Sequence, residues 1–457
     1  MMCSKREKTV VGLLFVLIVE CVSESDSNQK PKLNIAIIGA GTSGLASAKH
    51  SIASGHSVTV FEQNADLGGI WAYTDEVGKN QYGVNIHSPM YKELRTNAPY
   101  QLMELPGHHY PNGTDQFPRH FDVLKYLHSY ADRFDITKHI KFNHLVLRVL
   151  PIENDKWEIA VKDLPSDNFI TTIFDIVFVC NGHFFAPFSP EIEDAQEFKG
   201  KLIHSHDFRT AEVFRDEDVL VVGMGVSGID LSMKLLDVAE SVTVSVTNRS
   251  RLGQIPPEII VREKVRRLTS DGAEFADGSK DSFTVVIYAT GYSYSYPFLS
   301  VDSGIHLEND FVQPLYNQII NIYHPTMAFI GIQKYVIVFH LYDIQAQFAL
   351  KFMTGEKKLP SKAEMLRKYY ETDRQFQLKW DIKKQGFDEF VSTQRQYLNE
   401  LSALADIEKI PEVFNALSCD AIKVFFQQPV IVRKYKINVI DSEHFTKEWR
   451  GDQMASF

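Results

Sequence analysis

The chain has 457 residues, which is enough for two or more domains, and 44% of them are hydrophobic. This is an ordinary globular composition with ample material for a core. The formal net charge of -10 argues against nucleic acid as a partner, because nucleic-acid binding needs a basic excess.

The first residues have the layout of a secretory signal peptide. A basic start is followed by the apolar run Val10–Val19 and by small residues up to Ser23. The run is too short to span a bilayer, which takes about 20 residues. We therefore expect residues 1–23 to be cleaved, and the mature protein to be secreted, extracellular, soluble and without a membrane partner. An uncleaved anchor or a chance apolar arm are the alternatives.

Cysteines and glycosylation sequons bear on the same expectation. Cleavage leaves Cys180 and Cys419, too few for a disulfide framework, so the core is expected to fold by packing alone. Asn112 lies in a turn-like PNGT sequon that suits a glycan. Asn248 begins a second sequon inside a predicted nucleotide-site loop, and we expect it to stay unmodified.

The strand LNIAIIG runs into the motif GAGTSG, whose glycines are Gly39, Gly41 and Gly44. In a dinucleotide-binding turn, the first glycine permits the tight turn and the second lets a pyrophosphate approach bare backbone. The third brings helix and strand close together. The next strand ends in Glu62, at the distance where a carboxylate accepts hydrogen bonds from a ribose diol. These residues predict a dinucleotide site rather than a glycine turn that merely packs.

The segment DLGGIWAY follows at once and carries Gly69 and Trp71. A double glycine beyond the ribose acid lets the chain run close to a second part of the same cofactor. This favours FAD over NAD in the first site. The alternative is a surface turn beside a core tryptophan.

A second strand, DVLVVGMG, opens the motif GMGVSG, with Gly223, Gly225, Ser227 and Gly228. The strand after it ends in TNRSR and not in an acid. An arginine attracts a 2′-phosphate that a carboxylate would repel, so the sequence predicts NADPH, with Arg249 the first candidate and Arg251 the second. The alternative is that these arginines form a solvated loop.

Two such units predict an α/β protein with two Rossmann-like dinucleotide-binding domains. Apolar strand patterns such as TMAFIGI follow the second unit, so we expect the NADPH domain to be inserted into the FAD domain. The predicted boundaries are 31–195 and 293–457 for the FAD domain and 196–292 for the NADPH domain. The chain is expected to be helical after about residue 337, and its oligomeric state stays open, a homo-oligomer included.

The acceptor that receives the electrons from NADPH and FAD narrows the class of enzyme. No CxxC motif supports a disulfide reductase, which leaves molecular oxygen as the obvious acceptor. The stretch FKGKLIHSHDF places His204 and His206 beside Asp207 and suggests a metal site. A catalytic zinc usually takes three protein ligands and a structural zinc four, and no spaced partners occur, so we predict no metal.

The combination of GAGTSG, GGIW, FKGKLIHSHDF, GMGVSG and ATGY resembles the flavin-containing monooxygenases. Their signature F-x-G-x-x-x-H-x-x-x-F is present from Phe198 to Phe208. In Baeyer–Villiger members the last position is usually Trp, so Phe208 favours the branch that oxygenates nitrogen and sulfur. The resemblance also implies that His204 and the segment Ala289–Tyr292 lie at the junction between the domains.

The resemblance implies a reaction in which NADPH reduces FAD and O₂ then forms a C4a-hydroperoxyflavin. An amine nitrogen or a sulfur takes the distal oxygen. It also implies that Asn97, in the segment LRTNAP, is the catalytic residue that faces flavin and nicotinamide. An ordinary turn asparagine is the alternative for this position.

Within this family the chain resembles the secreted alkaloid N-oxygenases, and we expect it to lack the hydrophobic C-terminal anchor of vertebrate members. The resemblance therefore implies a small amine substrate, a toxic pyrrolizidine tertiary amine that is detoxified to its N-oxide. The alternatives are a broader amine and sulfide monooxygenase, an uncoupled NADPH oxidase, and a secreted flavoprotein without turnover.

Overall fold

The computed structural model describes residues 31–249, 252–308, 310–333, 338–374 and 387–451. The predicted signal peptide, residues 1–23, and Arg251 lie outside the described residues. The helices are α1 Thr42–Ala53, α2 His120–Arg133, α3 Val226–Leu235, α4 Val338–Met353, α5 Lys362–Lys368, α6 Phe387–Ala405 and α7 Glu412–Gln427. A π-helical turn, Tyr369–Asp373, follows α5.

The strands divide into two main sheets, two antiparallel meanders and two hairpins. They are β1 Asn34–Ile38, β2 Ser57–Phe61, β3 Ile140–Lys141, β4 His144–Ile152, β5 Lys156–Asp163, β6 Asn168–Phe174, β7 Ile176–Val179, β8 Lys201–His204, β9 Asp218–Val222, β10 Ser241–Ser245, β11 Ile260–Arg262, β12 Val265–Thr269, β13 Gly272–Phe275, β14 Lys280–Ser282, β15 Val285–Tyr288, β16 His306–Glu308, β17 Phe311–Gln313, β18 Leu315–Tyr316, β19 Ile320–Asn321, β20 Met327–Phe329, β21 Tyr435–Val439 and β22 Phe445–Trp449. The fold is therefore α/β, as the sequence predicted.

The first sheet has the strand order β18-β19-β20-β7-β1-β2-β3. The strands from β20 to β3 are parallel, and β18 and β19 form an antiparallel extension. The chain leaves β1 through α1 to β2 on one side, while β7 lies on the other side. Ligands of open α/β sheets bind at the carboxyl ends of the strands at such a switch point.

The second sheet repeats the plan with the order β11-β10-β9-β15-β8, and all its pairings are parallel. Its strands lie in the chain between β7 and β20 of the first sheet. The predicted insertion is confirmed by this order. The boundaries at residues 195/196 and 292/293 stay a prediction.

Both faces of the first sheet are buried, and alternate residues of β1 serve different layers. Ile35 and Ile37 belong to the cluster formed with α1, α2, α4 and α6. Ala36 and Ile38 face the opposite cluster, which contains Trp157 of β5 in the antiparallel meander β4-β5-β6. This division follows from the two-residue period of a strand, and it explains why β1 is apolar along its whole length.

The last helix, α7, packs against the unit of the second sheet as well as against that of the first. Leu417 of α7 and Ile229 of α3 share one buried cluster. Gly253 approaches so closely that an added Cβ would lie 2.2 Å from the carbonyl oxygen of Phe426. The C-terminal segment therefore packs against the second nucleotide unit as well as the first. Among the described residues, no helix is both long and apolar enough to cross a membrane.

Candidate active site

A cleft of about 1450 Å³ lies between the carboxyl ends of the two sheets and receives residues from both. The predicted site residues that line it are Gly39, Gly41, Glu62, Gly69, Trp71, Asn97, Gly223, Gly225 and Ser227. Gly44 and Gly228 lie behind the two glycine turns, and Arg249 lies elsewhere. The structure thus brings two distant motifs and Asn97 to one cavity.

The first turn depends on glycine for steric reasons. Gly39 has a φ of +102°, and a Cβ there would also lie 2.6 Å from the carbonyl oxygen of Cys180. A Cβ on Gly44 would lie 1.9 Å from the carbonyl oxygen of Gly39, so only glycine lets α1 start this close to the strand. Gly41 caps α1 without a side-chain hydrogen bond, which leaves the first backbone N–H groups of the helix for an anion.

Glu62 is buried at the edge of this turn. Its carboxylate accepts hydrogen bonds from the N–H of Ala40 at 2.8 Å and of Asn64 at 2.9 Å. Burial raises the pKa of Glu62 against the opposing effect of these backbone bonds. Two bonds leave further lone pairs on the carboxylate, so it can still accept hydrogen bonds from the hydroxyls of a ribose.

The double glycine packs directly on the first turn. The N–H of Gly68 donates to the carbonyl of Ala40 at 2.9 Å, and a Cβ on Gly69 would lie 3.0 Å from Cα of Gly41. Gly69 has a φ of +58°. This contact continues the cradle of the first turn as far as the half-buried Trp71. A surface turn would have no such contact.

The second turn reproduces the first. Gly223 has a φ of +103°, and a Cβ on Gly228 would lie 2.1 Å from its carbonyl oxygen. Gly225 has an ordinary φ of -78°. Apart from its chain neighbours, no atom lies within 4 Å of a Cβ added at Gly225. The space in front of Gly225 is therefore open, as a phosphate-binding backbone requires.

The two turns differ at the residue that was predicted to bind a ribose in the first of them. The N–H of Gly39 donates to Phe61 and that of Gly223 donates to Ser245, so Val246 is the structural counterpart of Glu62. Val246 is apolar and buried, and the second turn carries no carboxylate at this point. This supports the predicted difference between the two nucleotides, since no acid stands where it would repel a 2′-phosphate.

Arg249 is not brought to the cleft. Its guanidinium donates to the carbonyl of Val261, and Nε lies 3.5 Å from the carboxylate of Glu263. Half of the side chain is exposed. The predicted role of Arg249 toward a 2′-phosphate requires it to leave these partners, and it stays a prediction.

Asn97 lies in an irregular segment that other residues hold in place. The N–H of Thr96 donates to Pro118 at 2.9 Å, and the guanidinium of Arg433 donates to the carbonyls of Arg95 and Thr96. The half-buried amide of Asn97 makes no hydrogen bond with another described residue. It is therefore available to a ligand in the cleft.

His204 joins the signature segment to ATGY. Its Nε2 lies 3.1 Å from the carbonyl oxygen of Gly291, and its Nδ1 accepts from the N–H of His206 at 3.0 Å. These bonds fix the neutral tautomer with hydrogen on Nε2. Burial, followed by the neighbouring His206, lowers the pKa of His204 to about 4. The ring also packs edge-on against Tyr292, so His204 connects two segments of the second unit beside the cleft.

Two further observations limit the chemistry. In the part of the chain that the structure describes, no group of three or more His, Cys, Asp or Glu side chains could hold a metal ion. Cys180 is buried with its thiol 3.6 Å from Ser47, and burial raises the pKa of that thiol to about 12. A thiol with this pKa is almost entirely protonated near neutral pH and is a poor nucleophile.

Sequence reasoning missed Arg433 and Asp230, which both line the cleft and form an ion pair. Asp230 follows the second glycine motif by two residues and gave a weak signal. Arg433 lies more than 330 residues from the backbone carbonyls that it binds and gave no signal. Contacts to backbone carbonyls leave no motif in the segment that is bound.

Two glycine turns that face one cleft define a class, the oxidoreductases that bind two dinucleotides. The model of the FMO-like family, flavin-binding monooxygenase-like, matches residues 32–254 and 253–439. The chain belongs to this family of flavin monooxygenases, which are enzymes that use FAD and NADPH. The predicted family, enzyme class and cofactors are confirmed.

Individual relatives agree with this assignment. Senecionine N-oxygenase from Tyria jacobaeae is 33% identical over 458 residues, which cover 97% of this chain and 97% of that protein. The structure of Tmm from Pelagibacter sp. strain HTCC7211 has a TM-score of 0.81 and 28% identity, covering 89% of this chain and 93% of that one. S-allyl-L-cysteine S-oxygenase from Allium sativum has a TM-score of 0.79 and 26% identity, covering 88% and 95%.

The two glycines of the second turn make separable predictions. We expect Gly225→Ala to change the free energy of unfolding by less than about 1 kcal/mol, because the new methyl enters open space. It should weaken NADP⁺ binding at least about tenfold, since that space is where a pyrophosphate meets the backbone. Gly228→Ala should destabilise by about 1–3 kcal/mol or more, because the methyl collides with Gly223.

Chemical denaturation without nucleotide and titration calorimetry with NADP⁺ measure the two effects. Unchanged NADP⁺ affinity in Gly225→Ala would show that this turn does not hold the nucleotide.

Proposed function

We propose that this flavin monooxygenase N-oxygenates a small tertiary amine, with a plant pyrrolizidine alkaloid such as senecionine as its preferred substrate, in a detoxifying reaction. The observation that carries the oxygenation is the placement of both glycine turns and the available amide of Asn97 on one cleft. The preference for an alkaloid rests on the likeness to senecionine N-oxygenase over 97% of both chains.

The first turn fits FAD. The proposed contacts are Gly39, Gly41 and Gly44 with the pyrophosphate, Glu62 with the ribose, and Gly69 and Trp71 further along the same cofactor. The open backbone at the start of α1 and the buried carboxylate support this assignment. Bound FAD supplies the redox chemistry, because it accepts two electrons from NADPH and passes them to O₂.

The second turn fits NADPH through Gly223, Gly225, Ser227 and Gly228. We assign Arg249 to the 2′-phosphate, for which it has to leave its ion pair with Glu263 outside the cleft. A guanidinium can form paired hydrogen bonds with a phosphate, which are stronger than its bond to a single carbonyl.

Asn97 is the proposed catalytic residue, through amide hydrogen bonds to the bound cofactors. Apolar and aromatic side chains line the same cleft; those of Leu102, Met103, Phe339, Phe425 and Phe426 are examples. Such a lining excludes water, and a flavin monooxygenase needs this because water diverts the activated oxygen to H₂O₂. A neutral amine is also compatible with an apolar cavity, whereas an ammonium ion would be costly to desolvate.

A broader range of amines and sulfides is the second candidate. The relative from Allium sativum is named an S-oxygenase, so the shared fold also serves sulfur. In both cases one oxygen atom of O₂ enters the substrate and the other leaves as water, with two electrons from NADPH.

The first test compares products with NADPH consumption. The wild-type enzyme with FAD, NADPH and senecionine should form one N-oxide per NADPH. We expect Asn97→Ala to keep consuming NADPH while the N-oxide yield per NADPH falls at least about tenfold, as for the loss of a catalytic hydrogen-bond donor. Asn168→Ala, at an exposed position on β6, is the matched control and should behave as wild type.

The substrate panel separates the candidates. Efficient oxygenation of simple tertiary amines and sulfides, with no preference for senecionine, would favour the broad-range enzyme. Release of H₂O₂ in amounts equal to NADPH with every substrate would leave an oxidase and overturn the proposal.

Coenzyme selectivity tests Arg249. We expect Arg249→Ala to raise the KM for NADPH about 10- to 100-fold and to leave the KM for NADH nearly unchanged, because only NADPH carries the 2′-phosphate. Arg215→Ala removes an arginine from an exposed ion pair with Glu212 and serves as the control. Equal changes for the two coenzymes would remove Arg249 from the site.

We also propose that the protein is secreted after cleavage near Ser23. Asn112 is exposed in a turn closed by a hydrogen bond from Thr114 N–H to Pro111, where a glycosyltransferase can reach it. Expression in insect cells should release a chain that starts near residue 24 and carries a glycan removed by Asn112→Gln but not by Asn248→Gln. An intact N-terminus on a chain retained in the cytoplasm would contradict secretion.

A further inference from the structure

A buried ion pair joins three segments that are far apart in the sequence. The guanidinium of Arg433, in the turn that follows α7, lies 2.8 Å from the carboxylate of Asp230 in α3. Both side chains are about nine-tenths buried. The third segment contributes Tyr91, whose hydroxyl donates to the second carboxylate oxygen of Asp230.

Asp230 keeps its charge in this environment. Burial by itself would raise the pKa of Asp230, but the charges of Arg433 and then Lys234 outweigh it and hold the pKa below its ordinary value. The carboxylate therefore holds the guanidinium and the tyrosine together. It lies in the second turn of α3, the helix whose first turn forms the proposed NADPH site.

The same guanidinium reaches the segment of Asn97. Nε of Arg433 donates to the carbonyl of Thr96 at 3.2 Å, and one terminal nitrogen donates to the carbonyl of Arg95 at 3.0 Å. A single planar group thus connects α3 to the two residues that precede Asn97. Lysine, with one nitrogen, cannot reproduce this fork.

The C-terminal segment that carries Arg433 is itself fixed in position. Strand β21 places Ile437 against two glutamines: its carbonyl accepts from Gln101 at 3.0 Å, and its N–H donates to Gln116 at 3.0 Å. The two glutamines also bind each other at 2.6 Å. Arg433 therefore lies between an anchored strand and an anchored helix.

We propose that Arg433 and Asp230 are positioning residues. They hold the N-terminal turn of α3, where NADP⁺ is proposed to bind, at a fixed position relative to Asn97. Buried ion pairs seldom stabilise a fold more than apolar residues of the same shape would, and fixing one arrangement of segments is their better attested use. This inference rests on the proposed role of Asn97. When α3 and Asn97 keep this relative position, NADPH, a proton, O₂ and the amine give NADP⁺, water and the N-oxide. When the position is lost, NADPH, a proton and O₂ give NADP⁺ and H₂O₂.

The test uses the double variant Asp230→Asn/Arg433→Gln, loaded with FAD. Removing both charges avoids leaving either member of the pair as an unpaired buried charge, and Lys234 keeps the charge of Glu93 near it. We expect the N-oxide yield per NADPH to fall and the Kd for NADP⁺ to rise, each by about tenfold, the size of a typical coupling between sites. Amide hydrogen exchange in residues 95–103 should also become faster before any substrate is added.

The control is Arg395→Gln/Glu412→Gln, which removes an exposed ion pair between an arginine and a carboxylate, joining α6 and α7. It should match wild type in all three measurements. Arg433→Lys keeps the cation but loses the fork, so it should show faster exchange in residues 95–103 and an intermediate yield even if the double variant does not fold.

The proposal would be overturned if the double variant and Arg433→Lys both matched the wild type in amide hydrogen exchange, in NADP⁺ affinity and in N-oxide yield per NADPH. If the wild-type enzyme oxygenates no amine, the proposed function fails. Hydrogen exchange and NADP⁺ affinity then still decide whether the ion pair fixes the position of α3 relative to the segment of Asn97. If the wild type forms N-oxide and the variants form it equally well, only the positioning role fails.

Discussion

The contact between a helix start and the carbonyl of the preceding turn is the constraint on which both proposed nucleotide sites depend. At Gly44 and Gly228 an added methyl would lie about 2 Å from a backbone oxygen. Because the helix can start this close, its unpaired N–H groups face the same cleft as the turn. The contact occurs twice in one chain, and the second copy reproduces the φ of the first turn glycine within one degree, +102° against +103°.

The same backbone geometry is proposed to bind two different nucleotides, and the two turns differ at one equivalent position. Glu62 and Val246 follow equivalent strand residues, and each is buried beside its turn. A carboxylate at that point favours a ribose diol and repels a phosphate, while an apolar side chain does neither. The proposed distinction between the sites therefore comes from side chains near each turn, Glu62 in one and Val246 with Arg249 in the other, rather than from the fold.

The sequence predicted those parts of the structure that local steric rules determine. Glycine spacing, a strand before each motif and the acid after the first are local features, and the structure places them as expected. The counterpart of Glu62 was missed, because the sequence shows where a strand ends only to within a few residues. Arg249 was expected at the cleft. It is held instead by the carbonyl of Val261 in β11 and by the carboxylate of Glu263 just after β11, and no local pattern reveals how β11 pairs.

The least predictable part of the site is also the part that positions Asn97. This residue lies in no helix or strand, so no repeating backbone pattern sets its place. The segment is held through its carbonyls, and a carbonyl is the same for every residue type. The contact therefore requires the donor, Arg433, and the acid that orients it, and by itself it places no requirement on the side chains of Arg95 and Thr96. A site can then depend on a residue at the far end of the chain while its own sequence shows no trace of that dependence.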